Sequence, residues 1–192
     1  MANTMVPSLL QRMTLEEFLA VPEIKPANEF IDGAIYQKPM PQGKHSIIQR
    51  ELTFAIDRPL RDLKIARAFP ELRCTFGDRS TVPDISVISW DRIPRNLDGS
   101  VANVFAIAPD WTIEIMSPEQ GQTKVVKNIM MHCLKYGTQM GWLIDPDEQT
   151  VFVYQPKQEM EIFDDRARVL LMPGFAEGVQ VKVGELFDWL VE

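Results

Sequence analysis

The chain has 192 residues, of which 45% are apolar and 24% charged, with a net charge of −7. This is the balance of an ordinary soluble globular protein with one core. It excludes a global electrostatic pull toward nucleic acid or anionic membrane, though not a local basic patch. No uninterrupted apolar run reaches the roughly 18 residues of a membrane span. Cys74 and Cys133 are the two cysteines, without a CxxC pair, and read as reduced, buried thiols of a cytoplasmic protein. Residues 1–12 lack a basic region followed by an apolar block, so no signal peptide is expected.

Thr14 and Glu17 form a capping-box pattern that opens a short helix over residues 14–19. Residues 29–36 read as two strand arms around Asp32-Gly33, an N-terminal hairpin. Residues 39–43 are loop. Ile47, Ile48, Leu52, Ala55, Ile56 and Leu60 follow helical spacing over residues 44–63, and Pro59 is expected to end or kink that helix. Strands are expected over 65–68, 72–76, 82–89 and 110–116, with loop over 91–103. Ser117-Pro118 starts a helix that runs to Tyr136, capped by Gly137. Residues 142–145 and 150–154 form a strand hairpin around Pro146-Asp147. Two short strands and an amphipathic helix over 183–191 complete the chain. This order argues an α/β fold with a mixed sheet flanked by helices.

Glu114 stands out because it interrupts the apolar run Trp111-Thr112-Ile113-Glu114-Ile115-Met116. A carboxylate in a core strand is costly unless something compensates its charge. A second acid, Asp84, follows Pro83 at the start of the preceding apolar run. Strand alternation points Thr112, Glu114 and Met116 to one face and Ile113 and Ile115 to the other. On neighbouring strands, Asp84 and Glu114 converge on one hard cation, and Mg²⁺ or Mn²⁺ suits a site of few carboxylates plus water. Such an ion stabilises charge on a scissile phosphate and lowers the pKa of an attacking water. The bland alternative is a buried Glu paired with Lys or Arg.

The run Val82-Pro83-Asp84-Ile85-Ser86-Val87, then Ala108-Pro109-Asp110-Trp111-Thr112-Ile113-Glu114-Ile115-Met116-Ser117-Pro118, then Lys127, Tyr136-Gly137 and Gly141-Trp142-Leu143-Ile144-Asp145-Pro146, resembles the PD-(D/E)XK nuclease superfamily. Within it, the sequence resembles a branch of restriction-endonuclease-like bacterial proteins first catalogued as a domain of unknown function. The hairpin at Glu29-Phe30-Ile31-Asp32-Gly33 and the following His45 fit the same pattern. The resemblance covers residues 13–157; strands and a helix over 158–192 complete a single restriction-endonuclease-like domain over 1–192. It implies a central mixed sheet with helices on both sides and a metal-dependent endonuclease hydrolysing phosphodiester bonds, with DNA the expected nucleic acid. By analogy with nucleases of this fold, a homodimer is an arrangement open to it.

One position departs from the superfamily motif. The lysine two residues after the acid is replaced by Met116. The resemblance implies a lysine from the following helix, here Lys127 or, failing that, Lys124, with Ile129 at the spot where the branch places it. Glu51 on the long helix is a candidate third metal ligand, against an ion pair with Arg50 or Arg58. Glu29 is similarly ambiguous. Asp110 and Glu71 read as turn and surface acids. His45 and His132 are too few for a zinc site and read as capping and packed residues. Lys38 and Lys44 flank the proline-rich loop, where they either approach a nucleic-acid backbone or stay solvated. The rival function is a degenerate nuclease fold that only binds nucleic acid or protein, which Met116 keeps open.

Overall fold

The computed structural model describes residues 13–118 and 122–191. Helix α1 (Leu15–Ala20) opens on the expected capping box, with Glu17 N donating to Thr14 Oγ1 and Thr14 N donating to Glu17. Strands β1 (Asn28–Ile31) and β2 (Ala34–Gln37) form the expected hairpin. Asp32 and Gly33 both take positive φ, the conformation a tight two-residue turn demands. Helix α2 (Gly43–Asp62) turns Ile48, Leu52, Ile56 and Leu60 inward at four-residue spacing. It does not stop at Pro59 but runs on to Asp62. A proline there forfeits one N–H, and the buried Leu60 after it holds the last turn in place.

The central sheet contains β3 (Ala66–Pro70), β6 (Ile85–Ser89), β7 (Trp111–Ile115), β8 (Met140–Asp145), β9 (Thr150–Tyr154) and β10 (Glu161–Phe163), in the order β10-β9-β8-β7-β6-β3. β7 and β8 pair in parallel and the other neighbours antiparallel, so the sheet is mixed as expected. A parallel pair needs a crossover. It is supplied by α3 (Gln122–Asn128), a π-turn over Ile129–Cys133 and a 3-10 turn over Leu134–Tyr136. Gly137 ends it at φ +100°. The expected helix start at Pro118 runs into residues 119–121, which lie outside the described residues.

Two expectations are corrected. Residues 82–89 are not one strand. β5 (Arg79–Thr81) pairs with β4 (Cys74–Phe76) and with β1, giving a second sheet in the order β2-β1-β5-β4. β6 begins only at Ile85, because Pro83 has no N–H to continue a ladder. After β10 no second strand follows among the described residues; the chain adds an isolated bridge between Val169 and Lys182 and a 3-10 turn over Gly174–Ala176 before α4 (Val183–Asp188), which is shorter than expected.

α2 and α4 cover one face of the central sheet, where Ile113, Ile115, Trp111 and Trp142 pack among Ile48, Leu52, Ile56 and Phe187. The other face packs Leu143 and Tyr154 against Val125 and Ile129 of the crossover, with Met116 at its margin. Among the described residues no helix is long and apolar enough to cross a membrane.

A Cβ on Gly141 would fall 2.2 Å from Ile129 Cγ2. Ile129 is branched at Cβ and cannot swing clear. Gly141→Ala is therefore expected to cost about 1–3 kcal/mol, read as a lowered urea midpoint. Adding Ile129→Ala should recover none of the loss if backbone conformation alone is responsible, and part of it if this contact is.

Candidate active site

The site forms where the two sheets meet. Ile85 of β6 lies opposite Ile113 of β7, so Asp84, one residue before β6, comes level with the end of β7. The Ile115 N–H donates to Asp84 Oδ2 at 2.7 Å. Glu114 lies between those two positions on the opposite face from Ile113 and Ile115. Both acids are buried, Asp84 at 2% exposure and Glu114 at 5%.

The cation that meets them is Lys38, which directly follows β2. Its Nζ lies 2.6 Å from Asp84 Oδ1 and 3.6 Å from Glu114 Oε2. It also donates to the Val82 carbonyl at 2.7 Å. Its backbone N–H is held by Ala27 O at 2.9 Å, so the side chain starts from a fixed point. Glu29 of β1 is buried and accepts from Val82 N at 3.0 Å. The hairpin thus grips Val82 from both sides, through an acid on its N–H and a lysine on its C=O.

Helix α2 supplies the rest. His45 is buried, with Nε2 3.1 Å from Asp84 Oδ2. One turn later, Gln49 Nε2 donates to the Asp84 carbonyl at 2.8 Å. His45, Ile48, Gln49 and Leu52 share one helical face, a signal present in the sequence. Lys38 carries no such signal, since its pairing with Asp84 spans 46 residues.

The charges are divided unevenly. Burial alone would raise the Asp84 pKa, but the Lys38 charge and the His45 hydrogen bond outweigh it and hold Asp84 well below the usual carboxylate range. Burial pushes Glu114 up to about 8; Lys38 opposes this, while Asp84 and Glu29 reinforce it. Burial disfavours the Lys38 ammonium, yet Asp84, Glu114 and Glu29 together raise its pKa above the ordinary lysine value. One ammonium therefore meets three acids, and of these Glu114 is the one whose protonated form burial favours.

The remaining candidates lie elsewhere. Lys127 is exposed on α3, and no ion pair within 4.0 Å joins it to either acid among the described residues. The side chain of Lys124 lies outside the described residues. Glu51 is ion-paired with Arg50 at 2.5 Å and is one-third exposed. It sits two residues beyond Gln49, about 200° around the helix, which removes it from the Asp84 face. Asp110 is buried but structural, accepting from Ser89 N at 2.8 Å and pairing with Arg92. Glu71 pairs with Lys25, and Lys44 with Asp147. His132 stacks on Phe76, and burial lowers its pKa to about 4.

Among the described residues, no group of three His, Cys, Asp or Glu side chains is arranged to hold a metal. The donor chemistry nevertheless suits Mg²⁺ or Mn²⁺, which use one or two carboxylates and complete their shell with water. Three buried acids face one lysine, and the proton retained by Glu114 marks the charge left uncompensated.

That proton sets a pH dependence. Burial raises the Glu114 pKa to about 8 in the fold, well above the ordinary carboxyl value. Its contribution to stability is full below the unfolded value and is lost as pH rises through the folded one. In chelator, the melting temperature should fall between about pH 5 and pH 8, and Glu114→Gln should flatten that slope. Thermal melts across this range check it.

A family model described as "Uma2: Putative restriction endonuclease" matches residues 15–184. No curated protein matches the chain. A crystal structure from Anabaena variabilis, described as a "putative nuclease belonging to DUF820", is 62% identical. It superposes with a TM-score of 0.91, over 93% of this chain and 99% of that one. The central mixed sheet between helices is thus that of a restriction-endonuclease-like protein, and the chain belongs to the Uma2 family.

Proposed function

We propose that this protein is a metal-dependent endonuclease that hydrolyses phosphodiester bonds, with DNA as substrate and Mg²⁺ or Mn²⁺ as cofactor. The observation that carries this reading is the convergence of two buried carboxylates, Asp84 and Glu114, from adjacent central strands. The family and its Anabaena relative, both described in nuclease terms, support it.

Asp84 and Glu114 would hold the ion. When bound, it supplies positive charge for the developing phosphate oxyanion and acidifies an attacking water. Asp84 is suited to hold it, because the Ile115 N–H and His45 fix its orientation. Beside the acids opens a cleft of about 450 Å³, lined by Gln42, Gly43, Lys44, His45, Ser117 and Pro146. It exposes the N-terminal end of α2, whose free N–H groups and dipole favour a phosphate. Lys44, about half exposed, lies at the same cleft and pairs with Asp147, which also lines it.

The second reading, a fold that binds nucleic acid without cutting it, rests on Met116 at the motif's lysine position. A plasmid-nicking assay separates the two. Wild type with Mg²⁺ or Mn²⁺ should nick, and Asp84→Asn, which keeps the size of the side chain, should lose on the order of 10²-fold or more. Wild type that retains DNA on a gel but never nicks it would establish the binding-only reading. Mn²⁺ should also raise the melting temperature of wild type, because it binds only the folded state, and should raise that of Glu114→Gln less.

A further inference from the structure

We propose that Lys38, carried by the N-terminal hairpin, is the catalytic lysine of this site: it contacts the scissile phosphate or its attacking water in place of the missing strand lysine. This deepens the nuclease reading and rests on it.

The motif's lysine projects from the acid-bearing strand beside the acid it follows. Met116 leaves that place without a donor. Phosphodiester hydrolysis still has to stabilise added negative charge, and a preorganised cation does so far better than one that must be recruited. Lys38 meets that requirement by position. Among the described residues it is the ammonium within 4.0 Å of both acids, at 2.6 Å from Asp84 and 3.6 Å from Glu114. Its side chain is only 11% exposed, so its charge acts in a poorly screened setting. It is also anchored at both ends, by Ala27 O on the backbone and Val82 O on the ammonium.

Lys38 sits between the two acids and not beside Asp84 alone, within reach of whatever the pair would hold. Asp84 is already satisfied by the Ile115 N–H and His45 on its other oxygen. The lysine's third neighbour is Glu114, at 3.6 Å. With Asp84 and Glu114 holding a divalent ion, less of the acids' charge would fall to Lys38. The ammonium is then released to donate to a phosphate oxygen or to water, with no bond made or broken at the lysine itself. Lys127, exposed on α3, has no comparable hold on the site.

The test compares wild type, Lys38→Met, Lys38→Arg and Lys127→Met in single-turnover plasmid cleavage, alongside Mn²⁺ titration by calorimetry. Lys38→Met is expected to lose at least 10²-fold in the cleavage rate while binding Mn²⁺ as tightly as wild type or more tightly, since a competing cation is gone. Lys127→Met is expected to cleave like wild type. Loss of cleavage together with loss of Mn²⁺ binding in Lys38→Met would make Lys38 structural and overturn the proposal. Removing one partner of a buried pair can also unfold the protein. Lys38→Arg covers that case: it keeps the charge and displaces the donor, so it should fold and lose at least tenfold in rate at unchanged substrate affinity. Wild-type rates in Lys38→Arg, or in a folded Lys38→Met, overturn the proposal and leave the nuclease reading standing. Wild type that cleaves nothing overturns both.

Discussion

Buried like charges need a nearby cation, and in this protein the cation for Asp84 and Glu114 comes from outside the sheet that bears them. Lys38 lies beyond β2, in the smaller sheet, and reaches across to the head of β6 and the end of β7. An unpaired buried carboxylate costs more than most single contacts return. The hairpin therefore has to dock for the central sheet to tolerate its own acids. Glu29 completes the latch by taking the Val82 N–H that no strand partner uses.

Pro83 is the pivot of this arrangement. It ends β5 on one sheet and delivers Asp84 to the next, since a residue without an N–H cannot extend a ladder. Val82, Pro83 and Asp84 are all buried, and their polar groups are met by Glu29, Lys38, Gln49, His45 and Ile115. So many partners on three residues leave Asp84 little freedom. Glu114 is less supported, and it is there that the pKa shift falls. The asymmetry leaves Asp84 the more firmly held of the two: its charged form is favoured, while burial favours the protonated form of Glu114.

The two faces of β7 keep chemistry and packing apart. Ile113 and Ile115 fill the core under α2, while Thr112 and Glu114 face the crossover side. α2 touches both regions. Its Ile48 and Leu52 close the core, and its His45 and Gln49, on the same stripe, hold Asp84. The core therefore sets the position of the N-terminal end of the helix, where His45 meets Asp84 and also lines the cleft.

Local pattern alone determined much of this. Period-two and period-four apolar spacing, the Thr14 capping box and the Asp32-Gly33 turn specify β1, β2, α1, α2, β7 and β9, because each depends on neighbours within a few residues. Glu114 was legible for the same reason: one charge in an apolar strand is a local anomaly. Asp84 was legible through its motif. What tertiary structure decided is where the counter-charge comes from. Lys38 and Asp84 are 46 residues apart, in different sheets, and no spacing rule connects them. The short strand over residues 79–81 was hidden too, since three residues carry too little pattern and only their pairing with β1 and β4 sets them apart from β6. Proximity along the chain favoured Lys127, on the element after Glu114. Folding brought a lysine from before α2 instead, because the hairpin docks on the sheet where the acids are buried.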